Sequence, residues 1–147
     1  MSADRILTLS RFIAAPPAKV WTAWTDPTLL PRWFGPEGFS CRTKDIDLRQ
    51  GGQWRFDMIG PDSKVWPNRH RYLVMEPQTR IVFLMDDDGD AHPPSEVTVT
   101  LEAQGGGTRI AQVILFPDVA TREAAEGFGA VELGKTTLAK LAALVEG

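Results

Sequence analysis

The sequence has few of the residues that most often carry metal or nucleophilic chemistry. Its 147 residues include one cysteine, two histidines and one tyrosine. The single cysteine, Cys41, excludes an intrachain disulfide and a cysteine metal cluster, and we expect it to be a small core or strand residue. His70 and His92 lie in separate segments and lack the spacing of metal ligands. We therefore predict no metal site and no cofactor.

A surplus of positive charge and a long apolar run are also missing. The formal net charge is -3, so the basic surface that dominates nucleic-acid affinity is absent and no nucleic-acid partner is expected. No apolar segment approaches the roughly 18 residues that suggest a membrane span, which predicts no membrane insertion. The segment 1–17 mixes charged residues with short apolar pieces, and we expect a cytoplasmic protein.

What is present is the composition of an ordinary globular protein, with 43% hydrophobic and 24% charged residues. The length suits one domain over residues 1–147. Apolar residues alternate with polar ones in much of the chain, most clearly where Trp54, Phe56 and Met58 alternate with charged neighbours. Strands are predicted at Ile6 to Ile13, Cys41 to Leu48, Gln53 to Met58, Trp66 to Met75, Arg80 to Met85, Glu96 to Leu101 and Thr108 to Phe116. Short turns between them favour antiparallel neighbours.

Three helices are predicted, two short ones after the first strand and a long one at the C-terminus. A short helix begins at Pro17 and a second one at Pro27, after the capping residue Asp26. A long helix from Val119 to Glu146 ends the chain, with a spacing of three and four that predicts one buried stripe. That stripe comprises Ala120, Ala124, Gly127, Val131, Gly134, Leu138, Leu141 and Val145. The fold class is therefore α+β, with a curved antiparallel sheet of about seven strands around a long C-terminal helix.

Glycines on the predicted C-terminal helix need an explanation, because each costs roughly 0.5–1 kcal/mol against alanine. Gly127, Gly129 and Gly134 could permit close approach to the sheet, leave space for a ligand or break the helix. The segment from Gly129 to Thr136 also matches the G-x-x-x-x-G-K-[ST] phosphate-loop pattern. We reject this match because a phosphate loop follows a buried strand, whereas the preceding residues are predicted to be helical.

Other polar segments supply no complete catalytic motif. The acidic run from Asp86 to Asp90 has its glycine two positions too early for a calcium loop, and Val97 stands where that loop needs a glutamate. We therefore predict a solvated hairpin loop. No serine lies in a nucleophile elbow, and the carboxylates are better explained by ion pairs such as Asp47 with Arg49. We predict no catalytic residue.

Aromatic and methionine side chains are the most suggestive feature, because they lie on elements that would surround the C-terminal helix. Most should form the core, but apolar walls with few polar groups also suit a lipophilic small molecule. His70 is either an exposed strand residue, the favoured interpretation, or an inward polar anchor or general base. The candidate ligand-binding residues are Trp33, Phe34, Phe39, Trp54, Phe56, Met58, His70, Tyr72, Phe83, Met85, Phe128, Val131 and Glu132.

Several short motifs together resemble a known family. They are Ala15-Pro16, Val20-Trp21, Ala23 to Pro27, Trp33 to Pro36, Asp47 to Arg49, Gly51 to Trp54, Trp66 to Asn68, Arg80 to Phe83, Gly106 to Arg109 and Phe128 to Glu132. This pattern is similar to bacterial relatives of the activator of heat shock protein 90 ATPase C-terminal domain, in the SRPBCC (START/Bet v-like) superfamily. The resemblance implies a helix-grip fold, with two short helices after the first strand and a deep hydrophobic cavity between the sheet and the C-terminal helix.

Three functions are compatible with this sequence. The first is a non-catalytic module that binds a small hydrophobic or amphipathic ligand in the grip cavity, with His70, Tyr72 or Glu132 as polar anchors. The second is an enzyme of the cyclase, hydrolase or lyase kind that uses the same cavity. The third is a co-chaperone-like interaction protein, which predicts an exposed apolar patch. The expected partner is a small lipophilic molecule, and a homodimer is left open.

Overall fold

The computed structural model describes residues 2–147, which form a short 3-10 helix at Ser2–Arg5, seven β-strands and four α-helices. The strands are β1 (Ile6–Ile13), β2 (Ser40–Ile46), β3 (Gln53–Ile59), β4 (Val65–Glu76), β5 (Arg80–Asp86), β6 (Ser95–Gln104) and β7 (Gly107–Leu115). The helices are α1 (Pro17–Thr25), α2 (Leu30–Trp33), α3 (Val119–Phe128) and α4 (Ala130–Glu146). The predicted strands are confirmed to within a few residues, whereas the second short helix begins at Leu30 rather than at Pro27.

All seven strands form one antiparallel sheet in the order β1-β7-β6-β5-β4-β3-β2. Consecutive strands from β2 to β7 are neighbours, as the short turns between them predicted. The first strand instead pairs with the last, from Ile6 opposite Leu115 to Ile13 opposite Thr108. The two short helices therefore connect one edge of the sheet to the other. This arrangement confirms the α+β class.

The alternation of side chains gives the sheet one apolar and one charged face. In β3, Trp54 and Phe56 are fully buried, while Arg55 between them points to the opposite face and forms ion pairs there. Helix α4 covers the apolar face with Leu138, Leu141 and Val145, all buried. Each such side chain contributes roughly 1.5–3 kcal/mol through burial. Packing of the sheet against α4 therefore forms the main core.

The predicted single C-terminal helix is wrong in one respect, because the chain breaks at Gly129. This residue has φ of +94°, a left-handed conformation that ends α3 and precedes α4. No residue of α3 is buried, so the predicted buried stripe fails for Ala120, Ala124 and Gly127. Its second half holds, from Leu138 to Val145. Helix breaking, one of the three interpretations of the glycines, therefore applies at Gly129.

Close approach, another of those interpretations, applies at Gly134. A Cβ atom at this position would overlap Cδ1 of Leu9 on β1. The helical context also supports the rejection of a phosphate loop, because residues 130–136 form the first turns of α4 and follow a helix instead of a strand. None of the helices in residues 2–147 is long and apolar enough to cross a bilayer.

Candidate functional site: an apolar cavity between the sheet and helix α4

Two adjoining cavities lie where the beginning of α4 meets the apolar face of the sheet. The inner cavity has a volume of about 350 Å³ and the outer cavity about 250 Å³. The two cavities adjoin each other, because four residues line both: Pro36, Met58, Phe128 and Leu133. The outer cavity opens beside Trp66 and Phe128, whose exposed fractions are 40% and 69%.

The sheet supplies most of the inner wall through residues that share its apolar face. Val97 on β6 lies between Phe83 on β5 and Ile114 on β7 in the strand register. Leu9 on β1 is opposite Gln112 on β7. Antiparallel partners point to the same face, so these side chains form one continuous surface. The wall is completed by Met58 on β3 and Met85 on β5.

Helix α4 closes the cavity on the other side. Its lining residues follow the helical repeat: Ala130, Leu133, Gly134 and Thr137. Gly134 brings the helix backbone close to β1. Because Ala130 and Gly134 carry little or no side chain, space remains above the sheet at this end of α4.

A loop between α2 and β2 forms the third wall, and α4 holds it in place. Nζ of Lys140 donates hydrogen bonds to the carbonyl oxygens of Gly35 at 3.1 Å and of Pro36 and Phe39 at 3.4 Å. The backbone N–H of Glu37 donates to Oγ1 of Thr136 at 3.0 Å. Gly35, Pro36 and Phe39 line the cavities, so the shape of the site depends on these ties.

Six of the predicted ligand-binding residues line the cavities: Phe34, Phe39, Met58, Phe83, Met85 and Phe128. Five others lie in the solid core beside the cavity without lining it: Trp33, Trp54, Phe56, His70 and Tyr72. Trp54 and Phe56 are stacked with ring centroids 3.7 Å apart, and Phe34 packs edge-on against both of them. These rings form a closely packed part of the core directly beside the cavity.

Two predicted residues on α4 lie away from the cavities. Val131 packs against the core at its edge. Glu132 points to solvent, with 79% of its side chain exposed, and pairs with Nζ of Lys135 at 3.1 Å. An exposed carboxylate on this face of the helix is not placed to serve as a polar anchor.

His70 is buried, so the favoured interpretation of an exposed strand histidine is wrong. Its ring is stacked on Phe83 with centroids 4.3 Å apart and packs edge-on against Phe34 at 5.1 Å. Burial lowers the pKa of His70 to about 3, against a weaker opposing influence of Asp86. Within residues 2–147, Nε2 of His70 has no hydrogen-bond partner. The imidazole is therefore neutral and closed off by aromatic rings.

The other weakly acidic side chains near the cavity are also held in their neutral forms. Burial raises the pKa of Tyr72, and it raises the pKa of the Cys41 thiol to about 12. The Cys41 thiol donates to the carbonyl oxygen of Phe34 at 3.3 Å. In the described part of the chain, no three His, Cys, Asp or Glu side chains lie close enough to hold a metal ion.

The acidic run is solvated as predicted at Asp87 and Asp90, but the side chains of Asp86 and Asp88 are buried against arginines on the charged face of the sheet. The Asp86 carboxylate is only 3% exposed and accepts hydrogen bonds at 2.8 Å from Arg69 and Arg71. Burial alone would raise the pKa of Asp86, but the hydrogen bonds and charges of these arginines lower it overall. Asp88 accepts from Nε of Arg55 at 2.8 Å. This network lies on the face opposite the cavity.

Sequence reasoning missed eleven lining residues, most of which are aliphatic, small or polar. They are Leu9, Gly35, Pro36, Trp66, Asn68, Val97, Gln112, Ile114, Ala130, Leu133 and Thr137. The alternation in β7 could have indicated one of them, because Gln112 interrupts an inward-facing series that includes Ile110 and Ile114. The predicted aromatic residues divide between the two environments, because Phe34, Phe39, Phe83 and Phe128 line the cavities, whereas Trp33, Trp54, Phe56 and Tyr72 fill the core.

Comparison with known proteins identifies the family. The model of the family described as Activator of Hsp90 ATPase homolog 1-like protein matches residues 14–146. The chain belongs to this family. The resemblance seen in the sequence motifs is thereby confirmed. No functionally curated protein matches the chain significantly.

Solved structures agree with membership of the Activator of Hsp90 ATPase homolog 1-like family. A protein from Chromobacterium violaceum is 29% identical, with a TM-score of 0.84 over 97% of this chain and 98% of its own. One from Nitrosomonas europaea is 28% identical, with a TM-score of 0.86 over 99% and 97%. The AHSA1 protein of Silicibacter pomeroyi is 24% identical, with a TM-score of 0.77 over 96% and 97%, a likeness of fold alone.

Proposed function

We propose that this protein binds a small, predominantly apolar molecule in the inner cavity. The observation that carries the proposal is the cavity itself, about 350 Å³ between the sheet and α4 with almost entirely apolar walls. Small-molecule sites have volumes of roughly 300–1,000 Å³ and mainly apolar walls with a few polar groups. A space of this size therefore suits a ligand.

The outer cavity adjoins the inner one and, in the proposed function, forms the entrance for the ligand. Trp66 and Phe128 stand at its opening and are among the most exposed large apolar residues in the described chain. Exposed apolar side chains that adjoin one another at a groove are typical of ligand-binding sites. In the proposed function they form the entrance and contact the ligand as it passes.

The ligand body is expected to be uncharged. No lining residue of either cavity has a titratable side chain, so a charged ligand would lose its hydration without gaining a counter-charge. The same observation leaves the enzyme hypothesis without a general acid or base at the cavity. The exposed apolar residues that a co-chaperone hypothesis requires include Trp66 and Phe128, which belong to the cavity mouth.

Fluorescence titration with N-phenyl-1-naphthylamine, a neutral apolar probe, tests the proposal. The wild-type protein should bind the probe saturably. Ala130→Trp places an indole at the wall of the inner cavity and should weaken binding at least tenfold. Ala143→Trp introduces the same side chain at an exposed position of the same helix and should bind like wild type.

Two results would contradict the proposal. One is the absence of saturable binding to a folded wild-type protein. The other is equal binding by the Ala130→Trp and Ala143→Trp variants, which would place the probe outside the cavity. Native mass spectrometry of gently purified protein is a separate measurement, which identifies any natural ligand that remains bound.

A further inference from the structure

The inner cavity contains one conspicuous polar residue, Gln112. It lies on β7, is only 8% exposed and lines the cavity wall. Its cross-strand neighbours on the same face are Leu9 on β1 and Val99 on β6. Neither neighbour can donate or accept a hydrogen bond through its side chain. The sheet therefore provides no side-chain partner for the carboxamide.

Within residues 2–147, the carboxamide of Gln112 makes no hydrogen bond to the protein, although buried polar groups are nearly always paired. Nε2 of His70 is completely enclosed by protein and has no partner in the described chain. The amide oxygen and nitrogen of Gln112 are not enclosed in this way. The unpaired amide therefore faces the space of the cavity. Water in the cavity can pair with this amide, but a purely apolar ligand that displaces the water leaves the amide unpaired, which is costly. A ligand that carries its own hydrogen-bonding group is therefore favoured.

Thr137 on α4 is the other lining residue of the inner cavity with a polar side chain. It is 8% exposed, and its Oγ1 donates to the carbonyl oxygen of Leu133 at 3.4 Å, a long and weak hydrogen bond. The hydroxyl oxygen keeps its capacity to accept. Polar groups from the sheet and from α4 thus interrupt walls that are otherwise apolar.

We propose that Gln112 selects ligands that carry an uncharged hydrogen-bonding group, a carboxamide or a ketone, on an apolar body. This inference rests on the proposed binding function. A glutamine side chain offers two donors and an acceptor, so it pairs fully with a carboxamide and through its N–H with a ketone. Since no charged group lines the cavity, the same site disfavours a carboxylate.

Four naphthalenes that share one ring system test this selectivity: 2-isopropylnaphthalene, 2-acetonaphthone, 2-naphthamide and 2-naphthoate. Each is measured by its displacement of N-phenyl-1-naphthylamine. In Gln112→Met, which keeps an unbranched side chain of similar size, the Kd of the amide and of the ketone should rise roughly 3- to 10-fold relative to that of the hydrocarbon. Gln104→Met makes the same change at an exposed position and should leave the ratios unchanged.

A second measurement uses the wild-type protein and does not depend on the stability of a variant. The side-chain amide resonances of Gln112 in a ¹⁵N–¹H correlation spectrum should shift with 2-naphthamide more than with 2-isopropylnaphthalene. Unchanged ratios in Gln112→Met, equal shifts with both compounds or tightest binding of 2-naphthoate would each overturn the inference. Those results would leave cavity binding intact, whereas failure of N-phenyl-1-naphthylamine to bind would refute the proposed function itself.

Discussion

The buried histidine gives the sharpest prediction about stability. His70 is 1% exposed and stacked on Phe83 within a block of aromatic rings. Its pKa is lowered by burial to about 3, whereas an unfolded chain has the ordinary value of about 6.5. Between these two pKa values, His70 is protonated in the unfolded state and neutral in the folded state. The stability that His70 contributes is complete above pH 6.5 and is lost progressively as the pH falls towards 3.

The magnitude follows from these two pKa values. Between pH 6 and pH 4, proton uptake by the unfolded state should lower the unfolding free energy by roughly 2–3 kcal/mol. His70→Phe removes the titrating group and keeps an aromatic ring among aromatic neighbours. The difference in unfolding free energy between this variant and wild type should therefore grow by roughly 2–3 kcal/mol over that range.

Urea titrations at pH 6, 5 and 4, followed by far-ultraviolet circular dichroism, measure this difference. Comparing two proteins cancels the contribution of the carboxylates that both contain. His92→Phe is the matched control for the substitution itself, because it makes the same change at an exposed position. If the difference between His70→Phe and wild type stays constant from pH 6 to pH 4, the burial argument for His70 is refuted.

Two further predictions concern α3 and α4. Gly129→Ala should lower the unfolding free energy by about 1–3 kcal/mol, since φ is +94° there, whereas Gly127→Ala, inside α3 with open space around it, should raise it by up to about 1 kcal/mol. Urea denaturation measures both, and equal effects would contradict the break at Gly129. Lys140→Met removes the ties to the α2–β2 loop and should cost about 1–2 kcal/mol and weaken binding of N-phenyl-1-naphthylamine. Lys135→Met, at an exposed ion pair, should change little, and an equal effect of both lysine variants would show that the ties do not matter.

Strand positions could be predicted well from the sequence because the periodicity of two is a local property. The alternation of Trp54, Phe56 and Met58 with charged neighbours correctly indicated which face of β3 is apolar. The order of the sheet from β2 to β7 followed from short turns. The pairing of β1 with β7 is a contact between distant parts of the chain, and no local pattern indicates it.

The break in the C-terminal helix shows the limit of periodic patterns. Ala120, Ala124 and Gly127 continue the spacing of the true α4 stripe, but the left-handed conformation at Gly129 redirects the chain. Small residues add little burial energy, so their spacing is a weak signal. The strong signal came from Leu138, Leu141 and Val145, which are buried as predicted.

Only part of the candidate site could be predicted from the sequence. Large apolar side chains line cavities but also fill cores, and the sequence does not distinguish the two. Trp54 and Tyr72 are residue types expected in a pocket wall, yet their rings pack against other core side chains and do not border a cavity. The inner cavity lies where large side chains such as Phe83 and Phe128 face smaller residues such as Val97, Ala130 and Gly134. A cavity forms where small side chains leave a gap between packed elements, and the positions of bulky residues in the sequence do not indicate where such a gap lies.

The charged face of the sheet was hard to predict for a different reason. A run such as Asp86 to Asp90 is ordinarily a solvated loop. Here Arg69 and Arg71 on β4 reach the Asp86 carboxylate across neighbouring strands. The partners are separated in sequence by 15 and 17 residues, so only the register of the sheet brings them together.

The location of a bound apolar molecule tests the central claim most directly. Nuclear Overhauser effects between 2-naphthamide and the methyl groups of a ¹³C-labelled protein measure that location. If the inner cavity is the binding site, the naphthyl protons should contact the methyl groups of Leu9, Val97 and Ile114, which line it. Contacts confined to Leu73, which is 44% exposed and outside the cavity, or no contact at all with the three lining residues, would contradict it.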